Sequence, residues 1–328
     1  SDRYAIALLA CLSSVFFIGL GHLHLFDWDE INFAESAREM IQSGDYLHVK
    51  INYVAFWEKP PLFFWLQALG MHLIGIGEYA ARLQNAMFGF IYFISLYFIV
   101  KRHFNARFGL VWALAFFGTL LPHIYFKSGI IDPVFNYFIF MSVYFMLRVI
   151  GNDVNAGRLA LYSGLFSGLS VLTKGPVGFL LLGLTLFVYL VIKKFKPFPK
   201  IKYILFFLFG LIGVISAWLL AEWSQNGWAN MMRFIQYQVE LFNQDVAGHA
   251  QPFYYHLVVV LLGCFPISFL AIPGFKRKEE TPLDLQTWMI CLFAVVMLVF
   301  SITTTKIIHY SSMTYLPLAF LATYVVLK

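Results

Sequence analysis

The chain has 328 residues, of which 60% are hydrophobic and 12% are charged. Soluble globular domains carry roughly 25% charged residues, so this composition excludes an ordinary soluble domain. The net charge of +6 does not indicate nucleic acid, because the basic residues gather in turns between apolar segments, as membrane topology requires. The three cysteines, Cys11, Cys264 and Cys291, lie far apart in apolar runs, which is not the spacing of a zinc site or a disulfide framework.

Repeated apolar runs of nearly 20 residues predict an all-α polytopic membrane protein. The expected architecture is a single membrane domain over residues 1–328, with a first outer loop at 26–81 and a second long outer loop at 222–252. About ten transmembrane helices are predicted, at 4–25, 82–100, 108–126, 134–150, 159–173, 176–192, 203–221, 253–272, 286–303 and 310–327.

The apolar stretch at 61–77 is left out of this set because of the positive-inside rule. If it does not cross, most of the 23 lysines and arginines fall on the cytoplasmic side, including the basic turns at 101–107, 193–202 and 276–278. If it crosses, those turns face outward. We therefore expect residues 61–77 to form a juxtamembrane helix at the outer surface, and Pro60 and Pro61 suit the start of such a helix.

The first outer loop is acidic, and the pair Asp29 and Glu30 lies near its start. Residues 32–41 then have helical periodicity, with Phe33, Ala37 and Met40 expected to face lipid. A carboxylate at the start of a helix interacts favourably with the exposed N–H groups and the dipole, so capping is one interpretation of the pair. Catalysis is the other, and the residues alone leave both open.

Two further motifs of the outer face also have two interpretations each. Lys59, between Glu58 and two prolines, either forms a surface ion pair or binds a phosphate, a task that suits a point cation. Asp132, directly before Pro133, either caps a helix or belongs to the membrane-surface acids that are functional candidates. The two interpretations of Asp132 are compatible with each other.

Lys174 and Lys306 lie at outer helix ends, where a lysine either snorkels to the interface or binds a ligand. Their position opposes the charge bias of the chain, which favours ligand binding. The second long outer loop adds Asp245 and His249 to the same face, along with tryptophans that we interpret as interfacial. Acids and lysines from several loops are thus expected at one membrane surface, which suggests a site for an anionic, lipid-bound substrate.

Eight short motifs follow one another along the chain, and together they resemble the bacterial aminoarabinose transferase and protein O-mannosyltransferase superfamily. Its members are membrane glycosyltransferases of the GT-C type. Each motif is weak alone, but their joint order is specific and covers most of the chain. The motifs are Asp29-Glu30, Gly44-Asp45, Glu58-Lys59-Pro60-Pro61-Leu62, Glu78-Tyr79-Ala80-Ala81-Arg82-Leu83, Ile131-Asp132-Pro133, Leu172-Thr173-Lys174-Gly175-Pro176, Gln251-Pro252-Phe253-Tyr254-Tyr255 and Lys306-Ile307-Ile308-His309-Tyr310.

The resemblance implies a GT-C fold with a polyprenyl-phosphate-linked sugar as donor and an acceptor outside the cytoplasm. By analogy Asp29 would be the catalytic acid or base and Asp132 the second essential carboxylate, with Glu30 taken as a third catalytic candidate. Lys59 would hold the donor phosphate, whose negative charge grows in the transition state. The further candidates for binding phosphate or sugar are Lys174, Lys306 and His309.

The resemblance also implies that a divalent metal is the one cofactor to consider. Family members can hold it with the acid before the lysine, here Glu58, and a histidine of the second long outer loop. His249 is the histidine of that loop, whereas Gln238 falls near the expected place. Ile31 and Asn32 stand where the family often has an arginine, so neither aminoarabinose nor lipid A is inferred. Many members continue into further spans and an external soluble domain, so the resemblance suggests that the sequence is truncated at its C-terminal end.

The leading hypothesis is therefore a glycosyltransferase of the bacterial inner membrane, with its site facing the periplasm or exterior and no nucleic-acid partner. A transporter or flippase for a lipid-linked sugar is the main alternative. Transporters carry charges at mid-membrane and broken helices in paired halves, whereas the charges here gather at one face. A non-catalytic protein that binds a lipid phosphate is the third hypothesis, and the presence of both Asp29 and Asp132 opposes it.

Overall fold

The structure is a computed structural model, and it describes residues 2–243, 251–276, 281–303 and 305–327, which are mostly helical. An antiparallel pair of short strands, β1 (Lys50–Ile51) and β2 (Val54–Ala55), places Lys50 opposite Ala55. The α-helices are α1 (Asp2–Ser13), α2 (Asp27–Ser43), α3 (Leu62–Ile74), α4 (Glu78–His103), α5 (Ala106–Phe117), α6 (Leu120–Tyr125), α7 (Asp132–Ile150), α8 (Ala156–Lys174), α9 (Val177–Ile192), α10 (Ile201–Asn226), α11 (Trp228–Asn243), α12 (Tyr255–Gly263), α13 (Ile267–Leu270), α14 (Leu285–Ile302) and α15 (Tyr315–Leu327).

Several of these helices are long and apolar enough to cross a membrane, which confirms the predicted class. In the described residues, five segments meet both conditions: Glu78–His103, Asp132–Ile150, Ile201–Asn226, Pro282–Ile302 and Ile308–Leu327. A sixth span results if Tyr255–Gly263 and Ile267–Phe275, bent by 103° at their junction, are counted as one. The prediction of about ten spans is not confirmed.

Besides the bent segment within 253–272, two predicted spans are interrupted, and local backbone conformation explains each of these two breaks. The apolar run at 4–25 is helical only as α1 and a 3₁₀ turn at Ser14–Phe17, and Gly19 then takes a positive φ of 76°. The run at 108–126 divides into α5 and α6, because Thr119 is extended and forms the N-cap of α6. Apolar composition continues through both breaks, so hydropathy does not reveal them.

Residues 61–77 contain a helix of 13 residues, α3. At 1.5 Å per residue such a helix is about 20 Å long, which is too short for a hydrocarbon core of about 30 Å. Its length therefore agrees with leaving this stretch out of the spans. Its place at the outer interface stays a prediction.

In its described residues, the second long outer loop predicted at 222–252 is largely helical. Helix α10 continues past the predicted end of its span at 221 as far as Asn226, so Glu222 lies on the helix. Gly227, with a φ of 63°, ends α10, and α11 follows directly. Asp245 and His249 lie outside the described residues.

The chain divides into two compact units, and the predicted single domain stays a prediction. The first unit comprises residues 1–20, 85–128 and 248–328, and the second comprises 21–84 and 129–247. In the first unit, the buried Trp112 ring packs edge-on against Phe320, and its Nε1 donates to the carbonyl oxygen of Leu316 at 3.2 Å. In the second unit, Ser142 of α7 and Ser163 of α8 exchange hydrogen bonds of 2.7 and 2.8 Å to each other's carbonyl oxygens.

Helices α8 and α10 approach each other so closely that only glycine fits at their contact. A Cβ atom on Gly164 would lie 2.0 Å from the carbonyl oxygen of Phe207, and one on Gly210 would lie 2.5 Å from that of Leu161. Gly168 follows Gly164 by one helical turn, which is the small-residue spacing that lets membrane helices pack backbone to backbone. These glycines fix α10 against α8 without large side chains between them.

Candidate active site

Helix α2 places the first pair of predicted site residues at its start. The helix begins at Asp27, earlier than the sequence predicted, so Asp29 and Glu30 lie in its first turn, where carboxylates interact favourably with the helix dipole. The Asp29 side chain is partly exposed, whereas Glu30 is fully buried. The two neighbouring acids therefore occupy different environments.

The apolar face of α2 packs inside the protein, which corrects the prediction that it faces lipid. Phe33, Ala37 and Met40 are each at most 1% exposed. The Phe33 ring contacts Phe63 and Phe64 of α3, with ring centroids 5.7 and 5.6 Å apart. An amphipathic pattern indicates a buried face but does not say whether lipid or protein covers it.

Glu30 and Arg82 form a buried ion pair that ties several segments of the second unit together. Glu30 Oε1 accepts from Arg82 Nε at 2.7 Å and from the backbone N–H of Gly129 at 2.5 Å, while Oε2 accepts from Arg82 Nη2 and from the N–H of Phe26, both at 2.8 Å. Arg82 also donates to the carbonyl oxygens of residues 23 and 24. The pair thus joins the chain before α2, the start of α4 and the loop before α7.

This geometry shows that the capping interpretation applies to Glu30. Its carboxylate reaches back to the N–H of Phe26, the N-cap of α2, which is the same kind of bond that a capping box makes. Gly129 has no room for a side chain, because a Cβ there would lie 2.9 Å from the carbonyl oxygen of Ala81 and 3.2 Å from Glu30 Cγ. The loop that leads to Asp132 is therefore held against the start of α2.

Asp132 and Lys174, both predicted as site residues, form a second buried ion pair. Asp132 is the first residue of α7 and Lys174 is the last residue of α8. Lys174 Nζ donates to Asp132 Oδ1 at 2.6 Å and lies 5.5 Å from the centroid of the Phe135 ring. The side chains are only 2% and 7% exposed. The N-cap of α7 is Ile131, so Asp132 does not have the predicted capping position.

Lys59 lies in the wall of an apolar cavity within the second unit. Its ammonium group pairs with Glu58, and its side chain is 11% exposed. The cavity has a volume of about 210 Å³, and its apolar lining includes Trp57, Trp218 and Phe234. The first outer loop, α10, α11 and the turn between α8 and α9 each contribute to this wall. A cation beside an apolar cavity is suited to a ligand with an anionic head and a hydrocarbon tail.

The polar lining of this cavity includes residues that the sequence did not single out. His48, Glu222 and Asn230 line it together with Lys59. The Gly44-Asp45 motif could have led to His48, because His48 follows Asp45 by three residues and its ring contacts the Asp45 carboxylate. No sequence pattern links His48 to Glu222, which follows it by 174 residues.

Lys306 and His309 belong to the first unit, and their part in the site stays a prediction. Both are buried, at 6% and 4% exposure. Lys306 Nζ donates to the carbonyl oxygen of Thr303 at 2.5 Å, and the ring of His309 packs edge-on against Tyr125 with centroids 6.5 Å apart.

The described residues do not form a metal centre. Among them, no group of three or more His, Cys, Asp or Glu side chains is placed to hold an ion. Glu58 instead pairs with Lys59. The predicted partner of Glu58, His249, falls in the stretch 244–250, which the structure does not describe. The predicted metal ligand at Glu58 therefore stays a prediction.

The family model described as dolichyl-phosphate-mannose-protein mannosyltransferase matches residues 58–223. An uncharacterised protein of Aquifex aeolicus is 28% identical over 94% of this chain and 70% of its own length. The undecaprenyl phosphate-alpha-4-amino-4-deoxy-L-arabinose arabinosyl transferase of Pectobacterium atrosepticum is 26% identical over 89% of this chain and 53% of its own length. The chain thus spans little more than half of that transferase.

Two solved structures share the fold of the whole chain. ArnT from Cupriavidus metallidurans, bound to undecaprenyl phosphate, superposes with a TM-score of 0.86 at 23% identity, over 100% of this chain and 61% of ArnT. The Archaeoglobus fulgidus oligosaccharyltransferase superposes with a TM-score of 0.62 at 12% identity, over 99% of this chain and 50% of that protein. At these identities the likeness shows the fold alone.

Proposed function

The chain belongs to the dolichyl-phosphate-mannose-protein mannosyltransferase family of GT-C membrane glycosyltransferases, and on that premise we propose that it transfers a sugar from a polyprenyl-phosphate-linked donor to a hydroxyl acceptor on the extracytoplasmic side of the bacterial inner membrane. The observation that carries the proposal is the apolar cavity with Lys59 in its wall. Its lining suits a polyprenyl chain, and the ammonium group suits the phosphate that joins this chain to the sugar.

The reaction is a displacement at the anomeric carbon of the sugar. The bond between that carbon and the phosphate oxygen breaks, a bond to the acceptor oxygen forms, and polyprenyl phosphate leaves. Asp29 takes the proton of the acceptor hydroxyl, since it is the partly exposed carboxylate of the α2 pair. Lys59 stabilises the charge that grows on the leaving phosphate. In this scheme Glu58 keeps its place beside Lys59 as an ion-pair partner.

Asp132 acts as the second carboxylate, and Lys174 holds it in place through the buried ion pair. Lys174 directly precedes Gly175 and Pro176, which line the cavity, so it remains a candidate for contact with the phosphate. Lys306 and His309 remain candidates for further contacts with the donor. Removing either member of the Asp132–Lys174 pair is expected to disable the site.

Glu30 has a positioning role in this proposal, which replaces the catalytic role first assigned to it. Both of its oxygens accept hydrogen bonds from Arg82 and from backbone N–H groups, and its side chain is fully buried. A carboxylate held in this way is poorly placed to exchange a proton with a substrate. Its bond to the N–H of Gly129 instead ties the segment that carries Asp132 to the helix that carries Asp29.

The test is mass spectrometry of the lipids that copurify with the protein. The unchanged protein is expected to retain a polyprenyl phosphate or its glycosylated form, and Lys59→Ala is expected to lose it. Lys127→Ala is the matched control, because Lys127 is not among the residues that line the cavity. Asp29→Asn is expected to keep the lipid while losing transfer. Ordinary phospholipids alone, unchanged by Lys59→Ala, would refute the donor site.

The transporter hypothesis has no comparable observation in its favour. Two of the buried charge sets described above are ion pairs of the second unit, Glu30 with Arg82 and Asp132 with Lys174. The Pectobacterium atrosepticum relative named above is an arabinosyl transferase, and the two solved structures named above are ArnT and an oligosaccharyltransferase.

A further inference from the structure

The His48 imidazole is held from both sides by carboxylates. Its Nδ1 lies 2.9 Å from each carboxylate oxygen of Asp45, and its Nε2 lies 3.0 Å from Glu222 Oε1. Asn230 of α11 donates to the same Glu222 oxygen at 2.9 Å. We call Asp45, His48, Glu222 and Asn230 the His48 clamp. It joins the first outer loop, α10 and α11 within the second unit.

Each end of the His48 clamp is itself fixed. Asp45 Oδ1 accepts from the backbone N–H groups of Leu47 and His48 at 3.2 and 3.3 Å, and Oδ2 accepts from Lys50 Nζ at 2.6 Å. At the other end, the Glu222 side chain is 4% exposed. A buried carboxylate is costly unless its hydrogen bonds are made, and the bonds from His48, Asn226 and Asn230 offset that cost for Glu222.

A short hairpin connects the clamp to Lys59. The chain pairs across β1 and β2, and the N–H of Phe56 donates to the carbonyl oxygen of Val49 at 2.8 Å. His48 precedes the first strand and Lys59 follows the second, so both lie at the open end of the hairpin. His48, Glu222 and Asn230 line the cavity together with Lys59. The clamp is therefore attached to the same wall that carries the cation.

From this arrangement we infer that His48 is a positioning residue for donor binding: the clamp holds the open end of the hairpin against α10 and α11, and so fixes the Lys59 ammonium group in the cavity wall. The inference rests on the proposed function, because it assumes that Lys59 binds the donor phosphate. His48 contacts neither phosphate nor acceptor in this role. Its loss lowers donor affinity by letting the Lys59 segment move away from the cavity.

The experiment measures binding of undecaprenyl phosphate to the purified full chain in detergent, with tryptophan fluorescence as the signal, since Trp57 and Trp218 line the cavity. We expect His48→Ala to weaken binding about tenfold, which corresponds to about 1.4 kcal/mol. Glu222→Leu is expected to weaken it similarly, and the double variant no further, because partners in one network are not additive. Glu222→Gln keeps an acceptor oxygen and is expected to retain most of the affinity.

His72→Ala is the matched control. His72 belongs to the same outer region and its Nε2 lies 2.7 Å from the hydroxyl of Tyr46, but it does not line the cavity. Its replacement is expected to leave undecaprenyl phosphate affinity unchanged. A loss equal to that of His48→Ala would show that any lost histidine contact in this region has the same effect, and would overturn the inference.

A second comparison separates positioning from a general loss of stability. If His48 acts through Lys59, His48→Ala has no further effect on affinity in a Lys59→Ala background, whereas a merely structural role would weaken binding in both backgrounds. Amide hydrogen exchange is expected to rise in residues 45–59 of His48→Ala and to stay unchanged in α3. Unchanged affinity in His48→Ala, with the wild type binding normally, overturns the inference alone. A wild type that does not bind undecaprenyl phosphate overturns the proposed function and this inference together.

Discussion

Replacing Arg82 by methionine is expected to lower the free energy of unfolding by on the order of 3–5 kcal/mol. The replacement removes the two bonds from Arg82 to the Glu30 carboxylate and the two to the carbonyl oxygens of Leu23 and His24. The Glu30 carboxylate, whose side chain is 0% exposed, then keeps only its hydrogen bonds from the backbone N–H groups of Phe26 and Gly129. An uncompensated buried charge costs far more than the loss of a favourable contact, which is why the expected effect is large.

Thermal unfolding of the detergent-solubilised protein measures this effect, and α2 offers a matched control. Arg38 pairs with Glu35 at 2.5 Å, but these side chains are 29% and 30% exposed. Exposed pairs of this kind contribute about 0.3–0.5 kcal/mol, so Arg38→Met should change the melting temperature little. If Arg82→Met melted within a degree of Arg38→Met, the buried pair would not be holding these segments together, and the positioning role of Glu30 would be refuted.

Three further outcomes are expected from thermal melting. Lys174→Met should destabilise the protein by about 3 kcal/mol, because it leaves the Asp132 carboxylate buried without its ammonium partner. Adding Asp132→Asn should recover most of this loss, since neither position then carries a charge. No recovery in the double variant would contradict the pairing. Gly129→Ala should destabilise it, because the new Cβ would lie 2.9 Å from the carbonyl oxygen of Ala81; an unchanged melting temperature would count against that fit. Burial raises the pKa of the Asp45 carboxyl, but hydrogen bonds from an ammonium and an imidazole group outweigh it and hold that pKa below 3.8. Stability from this carboxylate is therefore present above pH 3.8 and lost as the pH falls through the lowered pKa, and Asp45→Asn should reduce that acid sensitivity; an identical pH profile in the variant would refute it.

Hydropathy and charge were sufficient to predict the class of the protein and the location of most helices. The apolar runs predicted α7 and α14 to within a few residues, because uninterrupted apolar sequence and helix coincide there. They did not predict that α10 continues to Asn226. Its last turn is polar, so the apolar pattern that predicts a span ends before the helix does. Glu222 was consequently assigned to a loop although it lies on a helix.

The partners of the candidate site residues could not be read from the sequence. Glu30 and Arg82 are 52 residues apart, and Asp132 and Lys174 are 42 apart. Each lies in a motif that the sequence identified, yet a motif gives residue type and order without showing which side chains meet. Burial supplies the missing information: it shows that Glu30 is enclosed by donors while its neighbour Asp29 is partly exposed.

The glycines at the contact of α8 and α10 set the distance between these two helices. Because Gly164 and Gly210 allow the two backbones to meet, the spacing between these helices is determined by main-chain atoms, which cannot shrink or change rotamer. Both helices then continue to the cavity, α8 towards Gly175 and α10 towards Trp218 and Glu222. The spacing of the two helices beside the cavity is thus set at glycines that lie about one to two helical turns from Ile215 of α10 and Val171 of α8, which line it. Variation confined to the lining could alter its chemistry and leave its size unchanged.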